Sequence, residues 1–103
     1  MKLLHQLSVN VYVQVPATGG ELEIWNYEPC EQAYESLRGK RAYGIPRTSL
    51  PKPDVTIRPM AGDLIIINPR LVHAVRPVVG SDRITLSAFL GIKSQTDPLV
   101  YWS

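Results

Sequence analysis

Leu7-Ser8-Val9-Asn10-Val11-Tyr12-Val13-Gln14-Val15 alternates without a break between apolar and polar side chains. Successive side chains leave opposite faces of an extended backbone, so a period of two rich in β-branched residues predicts a strand with one buried side. Leu7, Val9, Val11, Val13 and Val15 share one face, and Ser8, Asn10, Tyr12 and Gln14 share the other. Pro16 and Gly19-Gly20 end the run, and Glu21 to Trp25 alternates again through Leu22 and Ile24, as a hairpin partner would. Nine prolines and seven glycines among 103 residues cut the rest of the chain into equally short pieces. That punctuation favours many short strands over long helices, and the expected class is all-β.

Between Asn26 and Thr56 the alternation stops. Pro29 opens a helical stretch, Cys30 to Arg38, with Ala33, Tyr34 and Leu37 at helical spacing, and Gly39 stops it. Pro46, Pro51 and Pro53 prevent regular structure beyond it, so residues 26–56 read as an inserted loop or lid within a single domain, residues 1–103. Tyr27, Tyr34 and Tyr43 either face a substrate there or pack the lid down. Strands resume at Val55 to Pro59 and, after the turn Ala61-Gly62-Asp63, at Leu64 to Ile67, a short apolar run expected to be buried. Asn68-Pro69-Arg70 makes a corner, Leu71 to Val78 a strand, Gly80-Ser81-Asp82 a turn and Arg83 to Ile92 the last long strand, which gives about six strands in all.

The formal charge is only +2, with no run of like charges, which argues against a nucleic-acid partner although the pI is near 8.9. Apolar runs such as Leu64 to Ile67 fall far short of the roughly 20 residues of a membrane helix, and Met1-Lys2-Leu3-Leu4 is too short for a signal peptide. The expectation is a soluble, cytoplasmic protein. A lone cysteine, Cys30, forms no internal disulfide and no zinc knuckle.

Only two histidines are present. His73 sits among Leu71, Val72, Ala74 and Val75, which draws it into the interior or onto a cavity wall; a histidine so placed is either a hydrogen-bonded core residue or a ligand. Ten residues on, after one turn, Arg83 opens a strand whose face carries Arg83, Thr85 and Ser87, while Ile84, Leu86 and Ala88 occupy the other. A buried guanidinium there needs a partner, and its planar fork suits a carboxylate; an exposed one would merely snorkel.

Three stretches now carry a resemblance: Arg58-Pro59-Met60-Ala61-Gly62-Asp63-Leu64-Ile65-Ile66-Ile67, His73-Ala74-Val75-Arg76-Pro77-Val78, and Gly80-Ser81-Asp82-Arg83-Ile84-Thr85-Leu86. In this order they resemble the C-terminal half of the Fe(II)- and 2-oxoglutarate-dependent dioxygenases of the prolyl 4-hydroxylase-like kind. Ser8 to Gln14 and Gly19 to Trp25 look like the two strands that precede that half. The resemblance implies a double-stranded β-helix, that is, a cupin-like jelly roll, with Fe(II), 2-oxoglutarate and O2 meeting between its sheets. Iron in such enzymes is held by two histidines and one carboxylate. His73 matches the second histidine, Arg83 the residue that pairs with the distal carboxylate of 2-oxoglutarate, and Thr85 the hydroxyl that assists it; Tyr12 either lines the same pocket or packs against its wall. The implied activity is hydroxylase-type oxidation of a C–H bond with decarboxylation of 2-oxoglutarate to succinate, and halogenation is a variant of it.

One family feature is missing. The histidine followed two residues later by a carboxylate belongs upstream of Leu7, and His5 is followed by Leu7 instead. By family topology the first two strands of the jelly roll are absent with it, which uncovers the strands beginning near His73 and Arg83 and invites self-association through their edges. The chain therefore reads as a fragment, a mis-started frame or a degenerate copy. The alternative is a non-catalytic, cupin-like module that binds a small molecule; either way the small-molecule or peptide substrate has no signature in residues 26–56.

Overall fold

The alternating stretch that opens the chain is a strand, yet it does not form a hairpin with the segment after it. The computed structural model describes residues 3–39 and 44–103. Its strands, in chain order, are β1 (His5–Gln14), β2 (Thr18–Gly19), β3 (Leu22–Ile24), β4 (Val55–Ile57), β5 (Leu64–Ile67), β6 (His73–Val75), β7 (Val78–Val79), β8 (Ile84–Ile92) and β9 (Val100–Trp102), with one helix, α1 (Glu31–Arg38), between β3 and β4. They form a four-stranded sheet in the order β5-β1-β8-β9, a three-stranded sheet β4-β3-β6 and a small β2-β7 pair, every pairing antiparallel. This mostly-β architecture agrees with the expected jelly roll.

Register fixes the faces of the large sheet. Val9 lies opposite Ile66 and Ala88, and Val11 opposite Leu64 and Leu86, so the apolar face of β1 continues across both neighbours. The polar face pairs Asn10 with Ser87 and Tyr12 with Thr85, and Ser87 Oγ donates to Asn10 Oδ1 at 2.6 Å. Directly opposed side chains on one face are the unit of sheet stabilisation, and here the sequence alternation of β1 and β8 agrees strand for strand. Leu64 to Ile67 is a strand, as expected, but it is not buried. As β5 it is an edge, and Leu64 and Ile66 project from the apolar face, which the described residues leave open.

The second correction concerns Gly19-Gly20. Instead of turning a hairpin between β1 and β3, this pair bends a ribbon in which β2 and β3 run against β7 and β6. Both glycines have φ near +80°, and a Cβ on Gly19 would lie 1.9 Å from the Pro77 carbonyl oxygen. Only a residue without a Cβ lets the two backbones approach so closely. Opposite the bend, Arg76-Pro77 interrupts the expected Leu71 to Val78 strand and splits it into β6 and β7. The ladder continues across the break through Gly20 N to Arg76 O and Arg76 N to Glu21 O, at 3.1 and 2.9 Å.

Helix α1 ends where the sequence placed it, at Arg38, and begins one residue later than expected, at Glu31. Cys30 is the N-cap, its Sγ accepting from Ala33 N, and Gly39 closes the helix with φ +62°. β9 was not anticipated: Val100-Tyr101-Trp102 is too short to show a period, and its place is set by Trp102, which stacks on Phe89 with ring centroids 5.7 Å apart. Tyr43 lies outside the described residues, as do Met1 and Lys2.

Candidate functional site

Two places in the fold gather the residues singled out from the sequence. The first is where β1 meets the start of β8. A bulge leaves Val13 unopposed between the Tyr12–Thr85 and Gln14–Ile84 pairs, which re-aims the end of β1. Tyr12 is buried, and the Arg83 guanidinium lies over its ring at 5.8 Å, within the range of a cation–π contact. Arg83 Nε is buried and has no hydrogen-bond partner among the described residues. A buried charged donor left unpaired costs free energy, so the site has room in its hydrogen bonding for an acceptor that the described residues do not supply. The recess there, about 10 Å³ and lined by Tyr12, Pro16, Gly19, Gly20, Arg58 and Arg83, admits no more than the tip of a ligand. Arg58 is already engaged, donating to Ala17 O at 2.6 Å and to Glu21 Oε1 at 3.1 Å.

The second place is a cavity of about 420 Å³ on the three-stranded sheet. His73 lines it, together with Trp25 and Ala74 from the sheet and Tyr34, Arg47 and Leu50 from the long connection. Residue 73 is exposed, so it belongs to a cavity wall and not to a packed core. His73 Nδ1 lies 2.7 Å from the Leu71 carbonyl oxygen. A carbonyl only accepts, so Nδ1 carries a proton, which leaves Nε2 as the nitrogen that would bind a metal, the arrangement common to metal-bound histidines. β6, which carries His73, has β3 on one side and no strand on the other among the described residues. Arg83, Thr85 and Tyr12 are thus brought together, whereas His73 lines a separate cavity.

The connection is tied down over that cavity. Trp25, 2% exposed, donates from Nε1 to Pro51 O at 2.8 Å, Asp54 Oδ2 accepts from Asn26 N at 2.7 Å, and the Tyr34 hydroxyl accepts from Gly44 N at 2.7 Å. Tyr34 therefore does both things expected of these tyrosines, lining the cavity and holding the lid, while Tyr27 is exposed. The strongest tie was not foreseen. Glu23, 1% exposed, accepts from Arg47 through Oε1 and from Arg76 Nε through Oε2, the latter at 3.0 Å. A charged residue in an alternating strand reads as the solvent side, and nothing in the spacing of Arg47 or Arg76 announces a common partner.

Iron and 2-oxoglutarate fare differently against this geometry. Among the described residues no group of three or more His, Cys, Asp or Glu side chains could hold a metal ion, so those residues do not complete a triad around His73. The unpaired Arg83 Nε does fit an anion such as a distal carboxylate.

Over residues 1–103 the chain matches a family model described as carrier-protein-independent halogenase WelO5. The chain belongs to this halogenase family. With it comes the wider superfamily of Fe(II)- and 2-oxoglutarate-dependent oxygenases, and hence the implied use of Fe(II), 2-oxoglutarate and O2. Among curated proteins it is 36% identical over 104 residues to an L-gamma-glutamyl-L-propargylglycine hydroxylase from Streptantibioticus cattleyicolor, covering 99% of this chain and 37% of the relative. It is 31% identical over 102 residues to an L-isoleucine 3(1)-dioxygenase from Pantoea ananatis, covering 91% of this chain and 32% of the relative. The chain therefore spans about a third of the length of these curated relatives. No solved structure matches it. No helix of the described residues is long and apolar enough to cross a membrane.

Proposed function

We propose that this chain supplies the cosubstrate anchor and one iron ligand of a non-haem Fe(II)- and 2-oxoglutarate-dependent oxygenase. The net reaction inserts one atom of O2 into a substrate C–H bond and the other into 2-oxoglutarate, which leaves as succinate and CO2. The observation that carries this reading is Arg83: a half-buried guanidinium over Tyr12 whose Nε has no acceptor among the described residues. Arg83 takes the distal carboxylate, with Thr85 and Tyr12 beside it, and His73 binds the metal through Nε2. The remaining ligands come from outside the described residues. Two relatives named for catalysis, at 36% and 31% identity, support an enzyme over a non-catalytic cupin-like module. The relatives' names also suggest an amino acid or dipeptide as substrate.

A charge-assisted contact of this kind is worth about 1.5 to 3 kcal/mol, or roughly ten- to more than a hundred-fold in affinity. In the protein with its triad complete, Arg83→Ala raises the apparent 2-oxoglutarate constant by that factor and leaves anaerobic iron affinity nearly unchanged. Arg83→Lys falls between, keeping the charge but not the fork. His73→Ala loses iron first, and cosubstrate with it. Unaltered 2-oxoglutarate binding in a folded Arg83→Ala protein would return Arg83 to a structural role.

The description of the matching family favours a second outcome of the same chemistry, transfer of halogen instead of oxygen to the carbon. Mass spectrometry of the product formed with excess chloride separates the two, since a chlorinated and a hydroxylated product differ in mass and isotope pattern.

A further inference from the structure

The cavity beside His73 contains a charge that the oxygenase reading leaves unused. Among the described residues that line it, Arg47 is the one guanidinium or ammonium group, and none is a carboxylate. The rest of the wall is largely apolar, with Trp25, Ile45, Leu50, Leu71 and Val72 on it, and its volume of about 420 Å³ suits a small molecule.

Arg47 is held in place but not saturated. Its one partner among the described residues is buried Glu23, reached through a single terminal nitrogen, and 51% of its side chain stays exposed. A guanidinium has five N–H donors in a rigid fork, so most of Arg47 remains available. Glu23 cannot neutralise it fully, because the same carboxylate also takes Arg76. Arg76 reaches on to Glu21 at 4.0 Å, and Glu21 pairs with Arg58 at 3.1 Å. Three guanidiniums, Arg47, Arg76 and Arg58, thus share two carboxylates, so the network carries one more positive than negative charge, and Arg47 is its member on the cavity wall.

We infer that Arg47 is the specificity residue of this cavity: it anchors the carboxylate of an aliphatic amino-acid-sized substrate whose hydrocarbon part lies against Leu50, Leu71 and Trp25. The inference rests on the oxygenase reading for the part played by His73, but the binding event requires neither metal nor turnover. Glu23 acts here as a positioning residue, fixing the one side of the guanidinium that faces the sheet.

The test is binding to the purified protein under nitrogen without added iron, followed by tryptophan fluorescence, since Trp25 lines the cavity, and by calorimetry. The probes are L-isoleucine and L-isoleucinamide, of the same shape but without the carboxylate charge. The expected result is binding of L-isoleucine about ten-fold or more tighter than the amide. Arg47→Gln abolishes that preference and Arg47→Lys retains part of it, with folding checked by circular dichroism. Saturating 2-oxoglutarate does not displace L-isoleucine, because its own carboxylate goes elsewhere. Equal binding of acid and amide by the unaltered protein, no binding of either, an undiminished preference in folded Arg47→Gln, or displacement by 2-oxoglutarate would each overturn the assignment. Failure of the oxygenase reading is seen separately, as a complete, iron-loaded protein that binds L-isoleucine yet never converts 2-oxoglutarate to succinate.

Discussion

Glu23 is a carboxylate that leaves water only because two guanidiniums meet it. The hydrogen bond from Arg47 is the largest influence on it and, with the one from Arg76, outweighs burial, holding its carboxyl below the ordinary value of 4.5. Since the folded value lies below the unfolded one, the charged form contributes stability at pH values above the ordinary value. That contribution is lost as pH falls through the lowered folded value. Thermal melts of the protein should therefore fall in acid below pH 4.5, and Glu23→Gln should flatten this decline. At neutral pH the same substitution should cost about 1.5 to 3 kcal/mol, the worth of hydrogen bonds to a charged group. A Glu23→Gln protein with an unchanged acid slope would place the origin of that slope elsewhere. Arg83, Thr85 and Tyr12 were legible in the sequence because a period of two puts them on one face, and pairing of Tyr12 with Thr85 then follows from strand register. Glu23 was not, because its partners come from an irregular connection and from a bend, where no period exists to read.

At the scale of elements, the long strands and the helix could be read and their partners could not. β1, β8 and α1 carry their own periods and caps, which local physics decides. Whether β1 pairs with β3 or with β8 depends on non-local contacts, and the Gly19-Gly20 pair is compatible with both a hairpin and a bent ribbon. The bend makes its own prediction. At Gly19 an added methyl group meets backbone, the Pro77 carbonyl, and the residue also has φ +80°, so neither a rotamer change nor a small shift relieves it. Gly19→Ala should destabilise the protein by about 2 kcal/mol or more, from clash and left-handed strain together. Gly80→Ala serves as the control: its φ is +93° but nothing lies within 4 Å of the added carbon, so it pays strain alone and should cost clearly less. Equal losses in chemical denaturation would show that the close approach to Pro77 is not what the bend requires.

On the scale of the whole molecule, the polar and apolar faces of the four-stranded sheet have unequal surroundings. The polar face carries Tyr12, Thr85 and, by its strand alternation, the start of the Arg83 site, while the apolar face bears Leu64, Ile66 and Leu86, which are 57%, 49% and 65% exposed. Neighbouring apolar side chains on one sheet face lose about 25 cal/mol for every Å² left in water, and such contiguous patches recruit a partner. The open side of β6 adds unpaired backbone groups to the same tendency. The 103-residue chain by itself should therefore self-associate, with an average mass in sedimentation velocity that rises with concentration. Leu64→Lys and Leu86→Lys together should shift it toward monomer, because a charge on the face opposes stacking without touching the Tyr12 side of the strand. High salt should leave the self-association of the unaltered chain intact, as expected for burial of apolar surface and unlike an ionic contact. If the double lysine protein associated as strongly as the original, the contact would run through the β6 edge instead, and a proline replacing Val75 on that edge would be the substitution that disperses it.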